Sequence, residues 1–146
     1  MHKLMIYIEC EPRCLRESNK MFGYIRVEPD GTKRRAVNGG MTTWHRAVLV
    51  SLRGALARND DSYELHIYSD DGYVLNNVVN GNLDHWAEHG FKNRAGQLIK
   101  NHDLWQEIYR LTRGQKVIVH VGGHCYSDVL RKRFEEVEKE KAGSGC

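Results

Sequence analysis

Two carboxylates stand where an apolar, β-forming run stops: Glu9 after Leu4-Met5-Ile6-Tyr7-Ile8, and Asp70 after Leu65-His66-Ile67-Tyr68-Ser69. In α/β sheets ligands gather at the carboxyl ends of parallel strands, so these two are candidates for a functional site. A second set offers softer ligands, Cys10-x3-Cys14 together with His124-Cys125. Zinc takes such donors, but the spacing matches no closed zinc motif, and free thiols in a reducing compartment are the simpler reading. A third set is positive: Lys33-Arg34-Arg35, then Lys92, Arg94 and Lys100, then Arg131-Lys132-Arg133. Phosphate contacts need only charge of this kind, although a run of charge also serves as a solvated face.

These residues sit in a chain of 146 residues, the size of one domain, with 40% apolar and 28% charged residues. That balance is ordinary for a folded protein and argues against disorder or a coiled coil. The net charge of +3 says little until its distribution is known. The longest apolar runs are far too short for a membrane span. Met1-His2-Lys3 begins no signal peptide, so a cytoplasmic protein with no membrane partner is expected. Residues 1–140 read as a single domain and 141–146, ending Gly-Ser-Gly-Cys146, as a flexible tail.

The elements that must position the candidates follow from periodicity and turn chemistry. Leu4 to Ile8 suits a central strand buried on both faces. Phe22–Val27 and Lys33–Val37 flank Glu28-Pro29-Asp30-Gly31, a turn signal that makes them a hairpin. Thr42-Thr43 caps a helix whose Trp44, Val48, Leu52, Ala55 and Leu56 recur at helical spacing. Leu65–Tyr68 is the next strand, with Asp71 read as a helix cap. Short helices follow through Tyr73–Val78 and Leu83–Glu88, and Asn101 reads as the cap of a helix over Asp103–Leu111. Trp105 and Tyr109 fall on its core face. Lys116–Val121 is the last strand, and Ser127 or Asp128 opens a charged terminal helix. A meander followed by right-handed crossovers makes a mixed five-stranded α/β sheet with helices on both faces.

From Met5 to Phe134 the chain resembles the ribonuclease H type 1 family. The resemblance rests on the order and spacing of Thr42-Thr43, Ser69-Asp70 with Tyr73-Val74, Trp86 with Gly90-Phe91-Lys92, and Gly123-His124. Its most specific piece is Lys100-Asn101-His102-Asp103-Leu104-Trp105, close to the family's Lys-Asn-x-Asp-Leu-Trp. The resemblance implies four carboxylates holding two magnesium ions that cut the RNA strand of an RNA/DNA hybrid. It also implies contacts to nucleic acid from Thr43, from a basic, tryptophan-bearing handle at Trp86, Lys92, Arg94 and Lys100, and from Arg131 beside the site.

This chain departs from the family at the carboxylates. Glu9 stands where the family has Asp, and Asp70 matches. The second position falls on Val48, and no acidic residue occurs between Asp30 and Asp60 to replace it. The fourth falls on Lys132, with Asp128 or Glu135 as possible substitutes one turn away. A lysine there is expected to occupy the site with a salt bridge, leaving Glu9 and Asp70 as vestigial carboxylates paired with Lys132 or Arg131. Trp44 and His45 replace an Asn pair, and the loop Cys10-Glu11-Pro12-Arg13-Cys14 is bulky where the family is glycine-rich.

The sequence therefore supports first a catalytically degenerate module that binds a hybrid or duplex without cutting it, with no cofactor. The alternatives are an active nuclease using Glu9, Asp70 and His124 with magnesium or manganese, and a module that docks a protein partner.

Overall fold

The computed structural model describes residues 2–57 and 63–144, with side chains through Lys141. Its elements are β1 (His2–Glu11), β2 (Ser18–Val27), β3 (Lys33–Thr42), α1 (Trp44–Leu56), β4 (Tyr63–Ser69), α2 (Gly72–Val79), α3 (Asn82–Glu88), α4 (His102–Thr112), β5 (Lys116–Val121) and α5 (Ser127–Ser144). The element order is the one periodicity predicts. Residues 58–62 and Cys146 lie outside the described residues, as does the Asp60 that bounds the acid-free stretch. The backbone of α5 stays helical to Ser144, through part of the segment read as a tail.

The sheet order is β3-β2-β1-β4-β5, with β2 antiparallel to both β1 and β3 and with β1, β4 and β5 parallel. Alternation along β1 explains its central place. Leu4, Ile6, Ile8 and Cys10 point to one face and are at most 2% exposed, beneath α1. The intervening residues face α5, where Met21, Ile25, Leu130 and Phe134 close a smaller core. Burial of an apolar side chain contributes on the order of 1.5–3 kcal/mol, so the larger core dominates the fold's stability. It gathers Val48, Leu49, Leu52, Leu56, Leu104 and Trp105, each at most 1% exposed.

The hairpin is longer than the apolar pattern predicts. Pairing runs from Val27↔Lys33 to Ser18↔Thr42, through Lys20, Asn38, Gly39 and Gly40, which carry no alternation. Ladder hydrogen bonds come from the backbone, so a polar stretch can pair when its neighbours fix the register. Gly23 is required within it, because a Cβ there would lie 2.2 Å from the Ala36 carbonyl oxygen. Thr42 ends β3, and Thr43 alone caps α1, its side chain accepting from the Arg46 amide at 3.3 Å.

Asn101 corrects a second expectation. It adopts φ +63° and makes no side-chain cap; its Oδ1 instead accepts from Arg46 Nη1 at 3.1 Å.

The candidate nucleic-acid interface and its carboxylate end

β1 and β4 run in parallel, with Tyr7 opposite Tyr68, so Glu9 and Asp70 emerge at the same end of adjacent strands. The structure thus brings together the two carboxylates that the sequence singles out. Each is met by an arginine. Glu9 is 3% exposed; Arg131 Nη2 donates to its Oε1 at 3.3 Å, and the ring of His124 lies 3.6 Å from its Oε2. Arg131 also reaches Glu11 at 3.0 Å and Asp128 at 3.9 Å. Asp70 accepts from Arg13 Nη1 at 2.5 Å.

Of the two cations expected to pair with these carboxylates, Arg131 meets Glu9, while Lys132 is exposed and pairs with neither; Asp70 is met by Arg13 from the loop after β1. The reason is helical phase. On α5, Leu130 and Phe134 face the sheet, which leaves Arg131 at the flank nearest β1 and turns Lys132 to solvent. Glu135 is exposed on the same helix, and Asp128 is wholly exposed at its first turn. Arg13 comes from the bulky loop after β1. Its basic character is visible in the sequence, but its reach to Asp70 is a property of the loop's path.

Val48 lies in the main core, 1% exposed, and offers no ligand. Paired magnesium ions need oxygen donors converging in near-octahedral geometry. Among the described residues no three His, Cys, Asp or Glu side chains converge to hold an ion. With Glu9 and Asp70 each engaged by a guanidinium, the side chains here do not fit a two-ion site. Nor do Cys10, Cys14, His124 and Cys125 form a zinc cluster: Cys10 is buried, Cys14 half-buried and Cys125 exposed.

His124 uses both ring nitrogens locally. Nε2 donates to the Ile8 carbonyl at 2.9 Å, and Nδ1 accepts from the Tyr126 amide at 3.2 Å. This fixes the ring's tautomer and ties the loop before α5 to β1, leaving neither nitrogen free for proton transfer in this arrangement.

Next to Asp70, Asp71 is fully buried and does more than cap. Its Oδ1 accepts from the Val74 amide at 3.1 Å, and its Oδ2 lies 2.6 Å from His45 Nδ1. The His45 ring is thereby held between Trp44, 5.6 Å away, and the exposed Tyr73, 4.4 Å away. Trp44 packs on the core as its spacing implies. The His45–Asp71 pair went unread in the sequence, where the two residues are separated by most of α1 and by β4; only a buried Asp after β4 would have hinted at it.

The Lys100–Trp105 segment turns out to be a lock between helices. Asp103 accepts from both terminal nitrogens of Arg46, at 3.1 and 2.8 Å. The guanidinium holds the Asp103 carboxyl down to about 2, against an ordinary 3.8, and the Arg46 value is raised in turn. Trp105 is 1% exposed and lies 5.1 Å from the half-buried Trp86.

Beyond that tryptophan pair the surface opens into a groove lined by His85, Trp86, His89, Lys92, Asn93 and Arg94. Phe91 and Asn101, with φ of 58° and 63°, bracket the turn that carries it. Lys92, Arg94 and Lys100 are exposed, and no carboxylate among the described residues lies within ion-pair distance of them. Thr43 is spent on its cap.

The RNase H family pattern spans residues 5–131. The chain belongs to the ribonuclease H family. Among its relatives, the Ribonuclease H of Chlorobium luteolum is 36% identical over 120 residues, which cover 82% of each chain. That of Syntrophomonas wolfei is 35% identical over 100 residues, 67% of this chain and 68% of the relative. The fold is shared with LC9-RNase H1, a type 1 RNase H with the type 2 active-site motif, at TM-score 0.67 and 22% identity over 89% of this chain and 70% of that one. A foamy viral protease-reverse transcriptase in complex with an RNA/DNA hybrid aligns at TM-score 0.63 and 16% identity, over 89% of this chain and 18% of that one. The shared fold thus supplies the frame, and Glu9 and Asp70 stand at the ends of two adjacent parallel strands within it. No helix among the described residues is long and apolar enough to cross a membrane.

Proposed function

We propose that this ribonuclease H-family chain, a single domain over residues 1–140, binds RNA/DNA hybrid or duplex without cutting it. The observation that carries the reading is the contrast in pairing. Glu9 and Asp70 each lie within ion-pair distance of an arginine, while Lys92, Arg94 and Lys100 stay exposed beside the Trp86 groove. Charge of that kind binds phosphates without catalytic geometry. The foamy viral relative in complex with an RNA/DNA hybrid supports the choice of ligand.

A second reading is favoured by one contact chain. Asp128 lies 3.9 Å from Arg131, which lies 3.3 Å from Glu9, so a carboxylate at the first turn of α5 stands near the site. On that reading Glu9, Asp70 and Asp128, or Glu135, hold magnesium or manganese, with His124 assisting.

The test is one incubation with an RNA/DNA hybrid in magnesium and in manganese, scored for cleavage and for retarded mobility. Retardation without cleavage, weakening steeply as salt rises, is expected. Cleavage that disappears in Asp70→Asn would establish the second reading. Neither signal would overturn both and point to a protein partner.

A further inference from the structure

One buried charge takes no part in either reading. Lys20 is 2% exposed on β2, and its Nζ donates to Ser18 Oγ at 2.8 Å, to Cys14 Sγ at 3.0 Å and to the Pro12 carbonyl at 3.1 Å. No carboxylate among the described residues lies within ion-pair distance of it. A buried ammonium is costly unless it has hydrogen-bond acceptors and a counter-charge. The serine and the carbonyl supply acceptors. Cys14 is the one ionisable group among these three acceptors, so its sulfur is the place where a counter-charge can form.

The two thiols of this loop are therefore opposites. Hydrogen bonds from Lys20 and Ser18 bring Cys14 down to about 7, whereas burial pushes Cys10 up to about 12. Cys14 is also the accessible one of the two, being half-buried where Cys10 is 2% exposed. Thiolate character together with access is what makes a cysteine reactive.

We infer that Cys14 is a covalent modification site, a thiolate held by the Lys20 ammonium and open to peroxides and soft electrophiles. With hydrogen peroxide the thiolate sulfur attacks one peroxide oxygen. An S–O bond forms as the O–O bond breaks, sulfur loses two electrons, and the departing hydroxide is protonated to water, leaving the sulfenic acid. With a haloacetamide an S–C bond forms and halide departs. Modification removes the counter-charge of Lys20 from a loop whose neighbouring Arg13 holds Asp70, so it strikes the segment that closes the carboxylate end. The inference does not depend on what the chain binds.

The test uses the full chain carrying Cys146→Ser, with the exposed Cys125 as internal comparison. Iodoacetamide labelling is followed by peptide mass spectrometry as a function of pH. Cys14 is expected to label with a midpoint near 7, and Cys10 only after unfolding. Lys20→Met should raise the Cys14 midpoint by about one unit or more and slow labelling about ten-fold at about pH 6.5, with Cys125 unchanged. Should Lys20→Met fail to fold, Ser18→Ala removes one hydrogen bond to the sulfur and should move the midpoint the same way, by less. A dimedone adduct after peroxide treatment should form on Cys14 ahead of Cys125. Superimposed pH profiles for Cys14 and Cys125, a midpoint unmoved in both variants, or equal sulfenic acid trapping at the two cysteines would each overturn the assignment.

Discussion

The carboxylate end of the sheet and the handle around Trp86 lie on one chain and have opposite electrostatic character. At the strand ends the acids lie against arginines: Glu9 and Glu11 share Arg131, and Asp70 meets Arg13, with Glu9 itself buried. At the handle, Lys92, Arg94 and Lys100 project from a turn with no carboxylate among the described residues at ion-pair distance. Where charges are paired and desolvated they stabilise one arrangement and resist an incoming ion. Where they are exposed and unpaired they add little to folding and remain available to phosphates. The difference teaches that a residue's place in the sequence and its surroundings are separate matters: Glu9 and Asp70 stand at strand ends, yet each lies against a guanidinium.

The strongest way to break this contrast is to place a carboxylate at position 48 in the core. Val48→Glu places an unpaired charge where the chain is 1% exposed, and it is expected to lower stability by about 3–5 kcal/mol. Chemical denaturation measures this; a variant as stable as the parent that cuts hybrid would show the site is readily rebuilt.

Removing the guanidinium from the buried acid comes next. Arg131→Met should cost about 3 kcal/mol, because Glu9 is left with its charge uncompensated, while adding Glu9→Met should restore most of the loss. Equal effects of the single and double variants would mean that the Arg131–Glu9 pair contributes nothing beyond packing.

The handle should respond in the opposite manner. Lys92→Glu with Lys100→Glu is expected to weaken hybrid binding about ten-fold at low salt, flatten its salt dependence and leave melting unchanged. A matching fall in melting temperature would show that these lysines serve the fold.

The smallest effect is on the helix lock. The folded Asp103 carboxyl is depressed to about 2, so its stabilisation is fully present above the ordinary 3.8 and is lost as pH falls towards 2. Both partners are substantially exposed, 41% for Arg46 and 51% for Asp103, so the loss should be about 0.5 kcal/mol or less. Asp103→Asn should remove that part of the acid dependence in a melt between pH 5 and 2.

Much of the fold is legible in the residues because its signals are local. The apolar run Leu4–Ile8, the Pro29-Asp30-Gly31 turn and the spacing of Val48, Leu52, Ala55 and Leu56 each report a backbone preference within a few residues. The hairpin's far half escapes such a reading, since Asn38, Gly39 and Gly40 pair through backbone groups and not through an apolar pattern. Asn101 escapes it too: a good capping residue by type, it is used in the left-handed region to reach Arg46 across the helix pair.

By itself the sequence determined the element order, the mixed sheet and the family's frame, including which residues stand at the strand ends. It also determined that no acidic residue stands between Asp30 and Asp60, because that needs no coordinates. Only the tertiary structure decided what those end residues touch. Arg13 and Asp70 are separated by three strands and a helix, Glu9 and Arg131 by nearly the whole chain, and Lys20 meets Cys14 through a turning loop. Charge pairing depends on distances of a few ångströms and on burial, and neither is encoded in residue type or spacing; both arise when the helices close on the sheet.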